Sequence, residues 1–238
     1  MLEVLEVRLG RKRYIENSSG ETDYSLSISD LMSALLAIFV LALTYYILSY
    51  SQARAQLVEN QDKRSEILQM LQAELKAQGI NVEVDYKHGI LRLPEGILFA
   101  KGDAELNESG KQVIAILAPA LLRVLEQPTY ATSVETIFIE GHTDSDPIRG
   151  GKYKSNWELS TQRAINTWRQ MRETEPKLET LVNALDEPVF SVSGYADRRP
   201  VALGDSEEAK AKNRRIDLRF SMTPPRSENG PERQGGEP

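Results

Sequence analysis

Residues 31–49 read Leu-Met-Ser-Ala-Leu-Leu-Ala-Ile-Phe-Val-Leu-Ala-Leu-Thr-Tyr-Tyr-Ile-Leu-Ser, with no charge, Gly or Pro. As a helix rising about 1.5 Å per residue, this run spans roughly 28 Å, the thickness of a bilayer's hydrocarbon core. No second run of this kind occurs in the 238 residues. The pattern therefore predicts a single membrane span with one substantial water-soluble domain, not a multi-pass channel. The run is too long for the apolar part of a cleaved signal, and no small-residue cleavage site follows it. Asp30 precedes it directly. A carboxylate at the centre of a spanning helix costs up to about 3 kcal/mol, and less toward the edge. Two readings compete for it. One is a proton or ion site paired with a neighbouring helix. The other is a cap on the spanning helix in the headgroup layer, where a carboxylate is favourable.

The flanks set the orientation. Arg8, Arg11, Lys12 and Arg13 cluster before the run, against Arg54, Lys63 and Arg64 after it. The tighter upstream cluster places the N-terminus inside, in the cytoplasm, and everything past Tyr50 outside. Tyr45, Tyr46 and Tyr50 stand at the distal end, where interfacial aromatics belong. The net charge of -6 leaves no nucleic-acid footprint, and the lack of cysteine excludes disulfides and thiolate chemistry.

Along the chain the reading gives a short cytoplasmic segment at 1–22, in which Leu2, Val4, Leu5, Val7 and Leu9 fit a small strand or amphipathic turn. The transmembrane helix follows at 23–51 and a helical linker at 52–79. The linker's narrow apolar stripe of Leu57, Ile67, Leu68, Leu71 and Leu75 fits a continuation of the span, a short coiled coil or a lone amphipathic linker. Residues 80–221 are read as one α/β domain. Its expected strands are Ile80–Asp85, Ile90–Leu93, Val134–Glu140, Val189–Ser193 and Arg215–Ser221. Its expected helices are Asn107–Glu126, bent at Pro119, one opened by the capping box Ser155-Asn-Trp-Glu158, and Leu178–Leu185. This alternation predicts a layered α/β sandwich. Residues 222–238, rich in Pro, Gly and charge, read as a disordered tail.

Gly141-His-Thr-Asp144 comes directly after a strand. After an insertion at 145–154 comes Ser155-Asn-Trp-Glu-Leu-Ser-Thr-Gln-Arg-Ala164. On a helix, Asn156, Ser160 and Arg163 share a polar stripe, while Trp157, Ala164, Ile165 and Trp168 point elsewhere and are expected to bury. A loop carboxylate thus faces a guanidinium and an amide. That set suits a zwitterionic ligand, with Asp144 on an ammonium and Arg163 on a carboxylate. The competing reading is an internal Asp144–Arg163 salt bridge that fixes the loop. Asp144 and Asp146 lack a third ligand for a metal, and His88 and His142 read as structural. No nucleophile–base pair or metal set for a wall hydrolase is present, so no catalytic residue and no cofactor is called for.

Four blocks carry a resemblance: Gly-His-Thr-Asp144, Ser-Asn-Trp-Glu-Leu-Ser-x-x-Arg163-Ala, Gly194-Tyr-Ala-Asp197-x-x-Pro200 and Asn213-Arg-Arg-Ile-Asp217. In order, over about 80 residues, they resemble the OmpA-like peptidoglycan-binding domain. The resemblance implies that Asp144 and Arg163 grip the diaminopimelate of the peptide stem, supported by Thr143, Asn156, Leu159 and Arg214. The 145–154 insertion sets Asp144 and Arg163 further apart in sequence than in the shortest members.

With both ends taken together, the layout resembles the B subunits of ion-driven rotary motors. The lead-in Tyr24-Ser-Leu-Ser-Ile-Ser-Asp30 and the apolar run look more like the B subunit of the Zorya anti-phage defence system than a flagellar stator. The expected fold is thus a single transmembrane helix in the cell inner membrane plus an OmpA-like α/β sandwich in the periplasm. The resemblance implies a homodimer threading a ring of five A subunits, with Asp30 carrying protons and the outer domain holding peptidoglycan. In the Zorya case the signal would pass through the A subunit to effectors acting on DNA, with no direct nucleic-acid contact by this chain. A carboxylate can also hold sodium. A flagellar-type stator subunit and a plain wall tether without transport are the alternatives.

Overall fold

A computed structural model describes residues 18–225, with side chains from Ile28 onward. The basic cluster at 8–13, the strand or turn at 2–9 and residues 226–238 of the tail lie outside the described residues. The chain divides into two compact units, at Ala55 and Gln56.

Helix α1 (Ser18–Ala77) contributes to both units. In the first unit its apolar side chains are exposed from Ile28 through Tyr50, as a lipid-facing surface requires. Two hydroxyls within this stretch are satisfied inside the helix: Ser33 Oγ donates to the Ser29 carbonyl at 2.7 Å and Thr44 Oγ1 to the Val40 carbonyl at 2.8 Å. Such back-bonding removes the cost of a bare hydroxyl in hydrocarbon. Tyr46 and Tyr50 stack with centroids 6.5 Å apart.

The second unit is built on a five-stranded mixed sheet in the order β1-β2-β5-β3-β4. The strands are β1 (Glu83–Asp85), β2 (Ile90–Pro94), β3 (Val134–His142), β4 (Phe190–Gly194) and β5 (Arg215–Met222). Only β3 and β4 run parallel. The helices are α2 (Glu95–Leu98), α3 (Glu108–Leu125), α4 (Pro128–Ala131), α5 (Asn156–Thr174) and α6 (Glu207–Asn213).

Strand alternation splits the sheet into two chemically different faces. Leu91, Leu93, Ile137, Ile139, Ile216, Leu218 and Phe220 all enter the core cluster with the helices. Their alternates, Arg92, Glu140, His142, Arg215, Asp217 and Arg219, lie on the other face. Paired glycines let α5 lie close to the sheet. Gly141 and Gly194 are in register on β3 and β4, and a Cβ on either would collide with α5, at the Ser160 carbonyl and at Thr161 respectively.

The structure corrects several expectations. The stripe at Ile67, Leu68, Leu71 and Leu75 is fully buried in the core of the second unit, so these residues are not free to form a coiled-coil seam. Leu57 stays exposed. The same turns of α1 bond laterally: Glu66 accepts from the Tyr130 hydroxyl at 2.9 Å, and Asn60 Nδ2 donates to the Thr223 carbonyl at 2.6 Å. The helix expected at Leu178–Leu185 is one 3-10 turn, Pro176–Thr180, followed by a bridge between Val182 and Pro188. The first strand is confined to Glu83–Asp85. Helices α2, α4 and α6 have no counterpart among the expected elements, each being too short to show periodicity.

Candidate functional site

The site forms where β3 runs out and α5 begins. Ser155 caps α5, accepting from the Glu158 amide at 3.2 Å. Glu158 returns the contact one residue earlier than a standard capping box, accepting from the Lys154 amide at 2.7 Å. Asn156, at the first position of α5, donates from Nδ2 to the Asp146 carbonyl at 3.0 Å and the Asp144 carbonyl at 3.3 Å, pinning the loop to the helix. Thr143 is buried. Its amide donates to the Ala196 carbonyl at 2.9 Å and its hydroxyl to the Asp144 carbonyl at 3.0 Å. Ala196 is a non-glycine residue held at φ 50°, and its amide is taken by Ser160 Oγ at 3.1 Å. Leu159 packs with Ala104 and Tyr153 in a small apolar cluster that seats the 145–154 insertion.

The charged groups form an alternating relay rather than a pair. Arg214 Nη1 donates to Asp144 Oδ2 at 2.6 Å. Arg214 Nε meets Glu95 Oε2 at 2.8 Å. The other oxygen of Glu95 pairs with Arg163 Nη2. Arg163 Nε donates to the Asp103 carbonyl at 2.8 Å, and its guanidinium lies 5.2 Å from the centre of the Phe99 ring. Among the described residues Arg163 is bonded to Glu95 and the Asp103 carbonyl, and Asp144 to Arg214, so the competing reading of a direct Asp144–Arg163 salt bridge gives way to this relay. Burial differs sharply along it: the Arg163 side chain is 2% exposed and that of Arg214 is 21% exposed. Burial pulls the Arg163 guanidinium below its ordinary value despite the opposing pull of Glu95. At Arg214 burial acts in the same sense, but Asp144 and Glu95 outweigh it and the value rises. Asp146, suggested as a metal partner of Asp144, is paired with Lys210 at 2.7 Å, which holds its carboxyl below the ordinary range.

Glu95 escaped the sequence reading. It lies almost fifty residues before Asp144, in a one-turn helix with no pattern of its own. A carboxylate beside Pro94 at a strand end was the only trace of it. The expected burial of the other face of α5 holds for Ala164, while Trp157 and Ile165 remain exposed; Trp168 stacks on Phe190 with centroids 4.6 Å apart.

A second polar cluster lies on the opposite sheet face. Glu140, His142 and Asp217 are each at most 2% exposed and can present ligand atoms within 4.8 Å of one another. His142 Nε2 lies 3.6 Å from Asp217 and 3.9 Å from Glu140, partners that the sequence did not reveal. The charge around them disfavours a cation. Arg215 Nε already holds Asp217 Oδ2 at 3.0 Å, and Arg219 holds Glu140 Oε1 at 2.6 Å. Arg92 stands 3.7 Å from Asp217 and Arg199 3.8 Å from Glu140. Burial and the arginines push His142 down to about 3, while burial pushes Asp217 up to about 6 despite its arginine partners. This cluster is a layer of arginines around two carboxylates and a buried histidine, joining β2, β3 and β5. His88, by contrast, is an exposed turn residue bonded to Asp85 at 2.9 Å.

Comparison with known proteins places the relay in context. Residues 98–214 match the OmpA family. Motility protein B of Bacillus subtilis (strain 168) is 35% identical over 124 residues, covering 52% of this chain and 44% of that protein. Zorya protein ZorB of Escherichia coli O139:H28 is 23% identical over 210 residues, covering 87% of this chain and 83% of that one. This chain thus spans under half of the first relative and most of the second. Among solved structures, the cell wall anchor of the T6SS from Pseudomonas aeruginosa superposes with a TM-score of 0.50 at 25% identity, covering 67% of this chain and 99% of that one.

Proposed function

From a chain that carries an OmpA-family domain behind one apolar helix, and is a homologue of motility protein B and of ZorB, we propose a wall-anchored B subunit of an ion-driven membrane motor. The observation that carries this reading is the coincidence in one chain of two sites. Asp30 sits inside α1 at the edge of its exposed apolar run, and a charge relay closes on Asp144 in a domain related to a cell wall anchor. The apolar helix spans the cell inner membrane with the N-terminus in the cytoplasm, and the sheet domain stands in the periplasm. The domain holds peptidoglycan through the Asp144–Arg163 region, with Thr143, Asn156, Leu159 and Arg214 shaping the loop. The chain is no enzyme in this reading.

Two copies stand inside a ring of five A subunits. Each Asp30 takes up a proton from outside, becomes neutral and releases it inside, and the change of charge alters its contact with the ring. An exposed apolar helix bearing Ser29, Asp30 and Ser33 along one stretch is better accommodated against partner helices than in lipid. Service in anti-phage defence is favoured because the alignment with ZorB runs through most of both chains. A flagellar-type stator role draws on the higher identity to motility protein B.

Asp30→Asn keeps size and removes titration. It is expected to abolish protection against phage in cells that also carry the A subunit, while membrane insertion and co-purification with A persist. Full protection by the Asn variant would leave the chain a passive tether. Restored swimming of a stator-deficient strain, without phage protection, would favour the flagellar reading.

A further inference from the structure

We propose that the sheet face turned away from the helices carries a phosphate-binding site, formed by Arg199 and Arg219 above the buried Glu140. None of its residues belongs to the relay of Asp144, Arg214, Glu95 and Arg163, and it does not rest on the wall-binding reading.

The two arginines are held by rings and not by full sets of hydrogen bonds. The guanidinium carbon of Arg199 lies 3.6 Å from the centre of the Tyr195 ring, and that of Arg219 lies 4.2 Å from the centre of Phe138. Tyr195 in turn stacks on His142, with centroids 5.4 Å apart. The backbone under Arg199 is fixed as well. Its carbonyl accepts from Arg215 Nη2 at 3.1 Å, and Pro200 follows it, which favours an extended conformation. The Arg199 side chain is 53% exposed, and its guanidinium makes no hydrogen bond among the described residues. Arg219 spends Nε and Nη2 on Glu140 Oε1, at 2.9 and 2.6 Å, which leaves Nη1 unspent on a side chain 30% exposed.

Both guanidiniums converge on one atom. Glu140 Oε1 lies 2.6 Å from Arg219 Nη2 and 3.8 Å from Arg199 Nη1, so the two cationic ends stand no further apart than those distances together. That carboxylate is 3% exposed and answers one charge, not two. The surrounding charges do not supply the second. Arg215 and Asp217 cancel each other, Arg92 is answered by Asp85 and Glu83, and Arg198 by Asp197. His142, pushed down to about 3, adds no charge. One cation is thus in excess, and it faces solvent while Glu140 lies beneath. An oxyanion set between the two arginines relieves their repulsion and takes charge-assisted bonds of about 2.8 Å from both. A planar carboxylate presents its two oxygens along one edge and satisfies a single guanidinium fork. A phosphate projects oxygens in tetrahedral directions, so it can meet Arg199 and the unspent Nη1 of Arg219 together. The site therefore takes a phosphate group, either as the free ion or as the diester of a lipid headgroup.

The test titrates the full chain in non-ionic detergent with inorganic phosphate, by calorimetry at constant ionic strength. Wild type should show saturable binding at one site per chain, and acetate at the same concentration should not displace it. Arg199→Gln should weaken binding by at least about tenfold, the factor for one lost charge-assisted contact. Arg199→Glu should abolish it. Arg219→Lys keeps a cation for Glu140 but loses the planar fork, and should also weaken binding by about tenfold. Tyr195→Leu keeps both arginines and removes the ring under one of them. It should weaken binding by about two- to fivefold, as for an exposed cation–π contact. Melting temperatures taken alongside separate lost binding from a lost fold. Arg199→Gln carries the test wherever another variant fails to fold, because that guanidinium bonds nothing in the protein. A second titration uses glycerophosphoglycerol, a soluble diester headgroup. Binding at least as tight as that of inorganic phosphate assigns the site to a headgroup, and binding of inorganic phosphate alone assigns it to the free ion.

Three results overturn the proposal: a wild-type chain that takes up neither phosphate nor the diester, an Arg199→Glu variant that binds like wild type, or acetate that competes as well as phosphate does. The last would make the pair a site for any small anion. A chain that binds phosphate but does not sediment with intact sacculi leaves this site standing while the wall-binding reading falls.

Discussion

His142 and Asp217 face each other across β3 and β5 with opposite displacements, His142 pushed down to about 3 and Asp217 pushed up to about 6. The pH dependence follows from which state holds more protons. Between pH 6.5 and 3 the unfolded chain protonates its histidine while the folded chain resists, so this contribution to stability is lost as pH falls. Asp217 works the other way. Between its usual 3.8 and about 6 the folded chain keeps a proton that the unfolded chain releases, so its contribution is lost as pH rises through 6. The two slopes oppose each other between pH 4 and 6, each approaching about 1.4 kcal/mol per pH unit. Asp217→Asn is expected to unmask the histidine, with urea midpoints that fall steadily below pH 6.5. His142→Gln should unmask the aspartate, with midpoints that rise on acidification to about pH 4. Parallel profiles for both variants and wild type would show that the cluster does not titrate as a pair. A further residue-scale expectation concerns Gly141. Its Cβ would strike the Ser160 backbone, which has no flexible end to yield. Gly141→Ala should therefore push α5 off the sheet, costing about 1–3 kcal/mol and weakening peptidoglycan co-sedimentation.

At the scale of elements, α1 contributes in two different ways. Its apolar run is exposed, and its later turns are core. Leu71 and Leu75 are at most 1% exposed, against a core that includes Leu117 and Leu121 of α3. Leu71→Ala is expected to destabilise the sheet domain by about 2–5 kcal/mol, measured by urea denaturation of a fragment starting at Gln56. A fragment starting at Ile80 lacks the whole stripe and should give a lower midpoint than the longer fragment, or fail to fold. Equal stability of the two fragments would mean that this part of α1 only rests on the domain. The cap of α5 makes a smaller contribution: Ser155→Ala should cost about 1 kcal/mol in the same assay and loosen the loop that Asn156 holds.

For the whole molecule, the expectation is assembly. In the proposed motor, a proton taken up by Asp30 inside a ring would change a contact that can do work, which a lone subunit does not offer. Mass measurement in detergent should give a dimer that recruits several A subunits per pair. A monomer both alone and with the A partner would refute the motor reading, and a dimer that never takes up A would favour a plain tether. Because Ile67, Leu71 and Leu75 are spent on the domain core, contact between the two copies cannot rely on the full stripe expected from the sequence.

The sequence by itself determined whatever depends on local pattern. An apolar run of bilayer length, period-two strands at β3 and β5, a serine cap at α5 and the motif blocks around Asp144 and Arg163 are each written within a few turns of chain. Side-chain chemistry at that range dictates burial and capping almost independently of the rest. Tertiary structure decided the partners. Glu95 reaches Arg163 across 68 positions, Arg214 reaches Asp144 across 70, and His142 meets Asp217 from another strand. An apolar stripe likewise looks the same whether a second helix or the chain's own sheet covers it. Which group neutralises a buried charge, and what buries an apolar face, depend on distances that only the folded chain sets, and no local propensity encodes them.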